Sequence, residues 1–291
     1  ACRVTKRSSV NVMSSLSPKY QEVLKTFLDA PGIKIKSVKE EDINTDENDA
    51  CLIVQQPNYL GYFENLSKLS EQIHNVGGLL IVVTDPISLG MYKPPADYGA
   101  DIVVAEGQSL GISPSFGGPY VGLFACKQQY IRQMPGRIVG RTKDTNGQTG
   151  YVLTLQTREQ HIRRDRATSN ICTSVGLIAL MATIYMISQG KQGLKHIANL
   201  CYQKAHYTAS KLNEIDGYTV FTNKPFFREF VVSCPLPPNE INKRLLENKI
   251  IGGIDVSNYI KHGMLICVTE TNSRDEIDLL IKSLSKIKTE K

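Results

Sequence analysis

The sequence predicts an α/β protein, with a mostly parallel sheet in its first part and a smaller α/β domain after about Ile215. Two observations carry this. Short runs between Val10 and Cys126 are apolar throughout and separated by segments of helical spacing, as in strands buried on both faces of a parallel sheet. Beyond Ile215, short strand patterns alternate with two helical ones.

Val10 to Met13 is the first strand run. Pro18 follows Ser17 at a first helical position, where proline's missing N–H has no helical partner to lose. Tyr20, Val23, Leu24, Phe27 and Leu28 then recur at helical spacing until Pro31 and Gly32. Ile33 to Val38 alternates apolar and polar residues, as a half-exposed strand does. After a polar loop, Cys51 to Val54 is a strand, Phe63 to Asn75 a helix, and Leu79 to Val83, Ile102 to Ala105 and Val121 to Cys126 are strands. Met134 to Gly150 reads as a glycine- and arginine-rich loop. Tyr151 to Leu155 is a strand, Val175 to Ile187 a buried helix ending at Gly190, and Gly193 to Leu212 a second long helix. The terminal domain, residues 214–291, has strands at Tyr218 to Thr222, Phe230 to Ser233 and Met264 to Thr269. Its last helix opens with Ser273 and Glu276, spaced as a capping box.

Composition narrows function. With 34 basic and 28 acidic residues the net charge is +6, and no block of like charges suggests a nucleic-acid arm. The longest apolar stretch falls short of the roughly 20 residues that a membrane span needs. Seven cysteines, at 2, 51, 126, 172, 201, 234 and 267, form no C-x-x-C pair and read as buried, reduced thiols of a cytoplasmic protein. No histidine has metal-ligand spacing. The chain opens without an initiator methionine, as if an upstream part were missing.

Candidate chemistry falls in three places. Asp85 ends an apolar strand, where it serves two readings: a turn opener before Pro86, or a carboxylate that holds a protonated heterocyclic nitrogen. EGQSLGISPSFGGPYVG (Glu106 to Gly122) is a tight loop that lets backbone approach a neighbour closely. TREQHIRRDRATSNICT (Thr157 to Thr173) concentrates Arg158, His161, Arg163, Arg164 and Arg166 before an apolar helix. It suits an anion, an ion-pair network at a subunit contact, or a simply solvated charge run, and its place beside a core helix favours the first two, since charge so near a core usually has a partner.

These last two segments, with MPGRIVG (Met134 to Gly140), NKPFFREFVV (Asn223 to Val232), VQQPNYLGYFENL (Val54 to Leu66) and KPPADYGADIVVAEGQSLG (Lys93 to Gly111), resemble the P-protein of the glycine cleavage system. The likeness runs along essentially the whole chain and is to the first, non-catalytic subunit, which in this family is longer at its N-terminus. The resemblance implies a fold-type-I pyridoxal-phosphate transferase architecture, with a large domain over residues 1–213 that lacks its N-terminal part. It implies a complex that decarboxylates glycine on pyridoxal phosphate and passes the aminomethyl group to the lipoylated H-protein. Setting Pro119 against the proline that ends the family's catalytic loop puts Gln108 at the lysine position, and an amide cannot form the Schiff base. Asp85 then stands at the pyridine-nitrogen position. The resemblance therefore implies no catalytic residue and no cofactor in this chain, the cofactor being held by the homologous catalytic subunit 2. Arg158, His161, Arg163, Arg164, Thr168 and Asn170 are the interface candidates. Two other readings stay open: a module that docks the H-protein, and an independent pyridoxal-phosphate enzyme with a displaced lysine.

Overall fold

The computed structural model describes residues 1–155, 160–167, 175–221 and 224–287. A single turn, α1 (Cys2–Thr5), precedes strand β1 (Ser9–Met13), helix α2 (Pro18–Asp29), strands β2 (Lys34–Val38) and β3 (Asp49–Gln56), and helix α3 (Leu66–Asn75). Strands β4 (Leu79–Thr84), β5 (Ile102–Glu106) and β6 (Gly122–Cys126) complete a sheet of order β2-β1-β3-β4-β5-β6. All neighbours are parallel except β5 and β6. The loop between those two strands contains no crossover helix, so the chain returns antiparallel.

The strands' apolar character comes from a sheet made for cover on both faces, but the described residues cover only one fully. On that face Met13, Leu52, Val54, Leu80 and Val82 pack against Leu66, Leu69 and Ile73 of α3. On the other, Val10, Cys51, Ile53, Ile81 and Val83 line an apolar groove of about 910 Å³. Helix α2 flanks this groove, and its sequence-expected apolar face is only partly covered: Val23 is 53% and Phe27 74% exposed. Pro18 stands at the expected first position, but the Ser17 side chain makes no cap, and its backbone N–H donates to Gln55 Oε1.

The loop expected at residues 134–150 is instead half of a hairpin, β7 (Ile138–Lys143) paired with β8 (Thr149–Thr154). Asn146-Gly147 at its tip is a strong local hairpin signal. Asp144 Oδ1 closes the turn by accepting from the N–H groups of Asn146 and Gln148, each at 2.8 Å.

Beyond the one-turn helix α4 (Gln160–Arg163) comes α5 (Gly176–Asn213), broken as expected at Gly190 (φ 60°, ψ −177°). Its first half is not the buried helix that its composition suggested. Leu177, Leu180, Ile184 and Ile187 are 73%, 53%, 57% and 75% exposed. Composition reports how apolar a helix is all round, not how many of its sides find a neighbour. The second half buries one side: Ala205, Ala209 and Leu212 join the core of a second sheet.

That sheet contains β9 (Thr219–Val220), β10 (Glu229–Ser233), β11 (Ile254–Asp255) and β12 (Gly263–Cys267) in the antiparallel order β11-β12-β10-β9. Phe230, Val231, Val232 and Met264 pack with Ile241 and Leu245 of α6 (Pro238–Glu247) and with Ile277 and Leu284 of α7 (Arg274–Ser285). The capping box of α7 is formed: Ser273 N–H donates to Glu276 Oε2 at 2.7 Å, and Glu276 N–H to Ser273 Oγ at 3.2 Å.

A loop of the first part grips the second sheet. Tyr62 bridges to Phe226, Phe63 N–H donates to the Pro225 carbonyl at 3.2 Å, and Lys224 reaches Glu40 and the buried Glu64 at 3.1 and 3.4 Å. Gly61 (φ 90°) lies against the backbone of β10, where a Cβ would overlap the Glu229 carbonyl. Gly61→Ala is therefore expected to lower the urea midpoint by more than Gly32→Ala. The latter position also has positive φ (69°) but open space around it, so it costs only the about 1–2 kcal/mol of conformational strain. Equal shifts would show that the close approach contributes nothing.

Candidate functional site

The carboxyl ends of β3, β4 and β5 open into a polar cleft of about 200 Å³, where parallel α/β sheets receive their ligands. Gln55, Thr84, Asp85, Glu106 and Gln108 come from the sheet and its loops, Tyr20 from α2, and Arg228 and Glu229 from the entry to β10. Asp85 and Gln108, singled out separately in the sequence, thus face one space.

Asp85 makes the turn that one reading of its position offered, and its carboxylate also lines the cleft. Its Oδ1 accepts from the N–H of Ile87 at 3.0 Å, and its carbonyl accepts from Ser88 Oγ at 2.7 Å, which makes the turn. Its Oδ2 faces the cleft, 2.8 Å from Arg228 Nε, in an ion pair whose side chains are only 17% and 18% exposed. Burial pushes the Asp85 carboxyl up, with the Arg228 charge pulling the other way. Burial also works against the guanidinium, but Asp85, with Glu229 and the nearby thiols adding to it, holds Arg228 above the ordinary arginine range. Glu229 next door is likewise pushed up by burial, against Arg228.

Gln108 sits on the turn after β5. Its backbone N–H donates to Glu106 Oε1 at 2.9 Å, and its side-chain Nε2 donates to the Ile112 carbonyl. Among the described residues no lysine lines the cleft. Lys127 is at the other edge of the sheet, 2.7 Å from Asp101 Oδ1, and Lys93 is exposed. The loop after Gln108 is clamped to α5. Gly111 (φ 80°) lies flat against the Tyr185 ring, and Leu110, Ile112 and Val121 pack with Ala182, Ile197 and Ala198. The exposed row on α5 is on a helix whose other side holds this loop.

His161, Arg163 and Arg164 lie on α4 and the tight turn that follows, and all three are exposed. Buried Ala167 anchors the turn. His161 and Arg164 are exposed to solvent and enter no ion pair among the described residues. Arg158, Thr168 and Asn170 lie outside the described residues. Among the described residues no cluster could hold a metal ion and no helix is long and apolar enough to cross a membrane. The six described cysteines are free. Cys51, Cys201 and Cys234 are buried as expected, whereas Cys267, at the end of β12, is exposed.

Sequence reasoning missed Arg228 and Glu229. Their signal was a charged pair placed directly before an apolar strand run inside NKPFFREFVV, and a charge at that position needs a partner.

The architecture is that of the fold-type-I pyridoxal-phosphate-dependent enzymes. A sphingosine-1-phosphate lyase from Burkholderia pseudomallei superimposes with a TM-score of 0.67 over 98% of this chain and 64% of that one, at 16% identity. A C-DES mutant with glycine covalently linked to its PLP cofactor gives 0.66 over 97% of this chain and 75% of that one, also at 16%. Sequence is more specific. The model for the family "Glycine cleavage system P-protein" matches residues 1–284, and the chain belongs to that family. The probable glycine dehydrogenase (decarboxylating) subunit 1 of Desulforamulus reducens is 50% identical over 99% of this chain and 67% of its own length. Its counterpart from Chlorobium phaeobacteroides is 46% identical over the same shares. The crystal structure of glycine decarboxylase (P-protein) in inhibitor-bound form superimposes with a TM-score of 0.93 at 39% identity, over 98% of this chain and 67% of that one. The chain thus spans about two thirds of the length of these relatives.

Proposed function

We propose that this chain is the non-catalytic subunit of a glycine-decarboxylating P-protein. It pairs with a homologous catalytic subunit that holds the pyridoxal phosphate, and the complex decarboxylates glycine and hands the aminomethyl group to lipoylated H-protein. The observation that carries the reading is the cleft. Pyridoxal-phosphate enzymes tie the cofactor through a lysine and pair its ring nitrogen with a carboxylate. Here no described lysine lines the cleft, Gln108 is turned onto the Ile112 carbonyl, and Asp85 is taken by Arg228. These residues do not fit the cofactor. The subunit naming of the relatives supports a partner, as does the exposed apolar row on α5. This chain's part is then structural: it holds the loop after Gln108 and the exposed row of α5 in place for the partner.

Co-expression with a catalytic subunit of the same family, followed by sizing and a glycine–bicarbonate exchange assay, tests the proposal. The chain alone is expected to show no exchange and no visible cofactor absorbance, and the pair to co-elute and exchange. Exchange by the chain alone would overturn it. Within the complex, Arg163→Ala and Arg164→Ala are expected to weaken association or exchange by about tenfold, the cost of an ordinary interface contact. Unchanged values for both variants would remove α4 from the interface.

A further inference from the structure

We infer that Arg228 is the residue that closes this cleft to pyridoxal phosphate, an internal cation that has taken the place of the cofactor's ring nitrogen. The inference rests on the non-catalytic reading above and goes past the missing lysine. A lost lysine removes the covalent tie but leaves the rest of a binding site intact. Here the noncovalent site is also occupied, by the protein itself.

The geometry is specific. Asp85 cannot turn away, because Oδ1 is held by the Ile87 N–H and the carbonyl by Ser88. Its free oxygen, Oδ2, is the one at 2.8 Å from Arg228. Arg228 is equally fixed. It lies between Phe227 and the first residue of β10, with Phe227 and Phe230 fully buried on either side, and its carbonyl accepts from the Val268 N–H at 2.9 Å. A protonated pyridine nitrogen would bring one positive charge to the Asp85 carboxylate. The guanidinium already brings that charge, and it stays protonated at any pH at which a protein folds. With that negative charge already matched, a second cation at the carboxylate would be repelled by the guanidinium beside it in a poorly solvated cleft. Of the other ionisable groups that line the cleft, Glu106 and Glu229 are acids and Tyr20 is a phenol, so among the described residues only Arg228 offers it a positive charge. Arg228 is committed to Asp85.

Asp85 also has a structural part. Its carboxylate is half of the pair that fastens the first sheet's carboxyl edge to the start of the second sheet. The cleft therefore keeps its shape without a ligand, and the loop after Gln108 keeps a rigid floor.

The test restores the lysine with and without the arginine. Gln108→Lys alone, Gln108→Lys/Arg228→Gln and the unaltered chain are incubated with pyridoxal phosphate, reduced with borohydride and mapped by peptide mass spectrometry for a pyridoxyl label at position 108. Labelling of exposed lysines serves as the internal standard. The double variant is expected to be labelled at 108 at least about tenfold more than the single variant, a tenfold gain in occupancy being a tenfold change in affinity. Gln108→Lys/Arg228→Lys, which keeps a cation opposite Asp85, is expected to stay at the single variant's level. Should the glutamine double variant not fold, as judged by its thermal transition, Arg228→Met carries the same comparison. Equal labelling of single and double variants overturns the inference, as does a folded double variant with no label at 108. Neither result bears on whether the unaltered chain lacks activity, which the exchange assay decides separately.

Discussion

Replacing Leu180 and Ile184 together by aspartate is expected to leave the chain folded and to abolish its co-purification with the catalytic subunit. Leu177, Leu180, Ile184 and Ile187 follow one another at intervals of three and four residues, so they form one row along α5, and each is more than half exposed. Ile178, Ala182 and Tyr185 occupy the opposite side and pack with the core that includes the loop after Gln108. A contiguous exposed row of this kind marks an interaction surface rather than a scatter of surface leucines. Aspartates there remove little packing inside the chain and cost some helix propensity, so unfolding should shift by only about 1–2 kcal/mol. In an interface each would place an unpaired charge in an apolar contact. With central contacts worth about 2 kcal/mol or more apiece, the pair should weaken association by about a thousandfold. Size-exclusion of the co-expressed subunits reads the outcome directly. Undiminished co-elution would place the partner elsewhere.

Asp101→Asn is expected to be among the most damaging single changes to stability. The Asp101 side chain is 3% exposed and stands before β5, where its Oδ2 accepts from the Leu80 N–H at 2.8 Å and lies 2.7 Å from His74 Nε2, while Oδ1 is 2.7 Å from Lys127 Nζ. It thus ties α3, β4, β5 and the end of β6 together with one carboxylate. An asparagine offers one acceptor oxygen and turns an amide N–H₂ toward donors. The cost should be about 2–3 kcal/mol, below that of a fully buried pair because Lys127 and His74 reach solvent. The pH dependence has a definite sign. Burial raises the Asp101 carboxyl, but Lys127, His74 and the Leu80 N–H together hold it below its ordinary 3.8. A carboxyl depressed in the folded state stabilises above its unfolded pKa, and that contribution is lost as pH falls through the folded value. The variant and the unaltered chain should therefore differ most above about pH 4 and converge below it. Urea midpoints measured at neutral pH and at pH 3 test this, and a constant gap would rule out the carboxylate as the cause.

Much of the cleft is legible in the sequence. Asp85 was marked by ending an apolar run, and Gln108 by its place in a long family motif. Arg228 was not marked, although it decides the electrostatics of the cleft. It lies at the entry to another sheet, and nothing periodic links it to Asp85. The exposed side of α5 was misread for a related reason. An apolar stretch reads the same whether neighbours cover all of its sides or only some.

The sequence by itself determined the family, the run of strands that build the parallel sheet, the break at Gly190, the capping box of α7 and the amide at position 108. Each is local: a period, a turn residue or a motif within a few residues. Only the tertiary structure decided that β6 returns antiparallel, that β7 and β8 pair, that one side of α5 stays open, and that Arg228 reaches Asp85. Those outcomes depend on which surfaces meet. An ion pair between distant segments forms because packing of two sheets brings its charges within 3 Å, and the energy that selects it is spread over the whole interface rather than written in either segment.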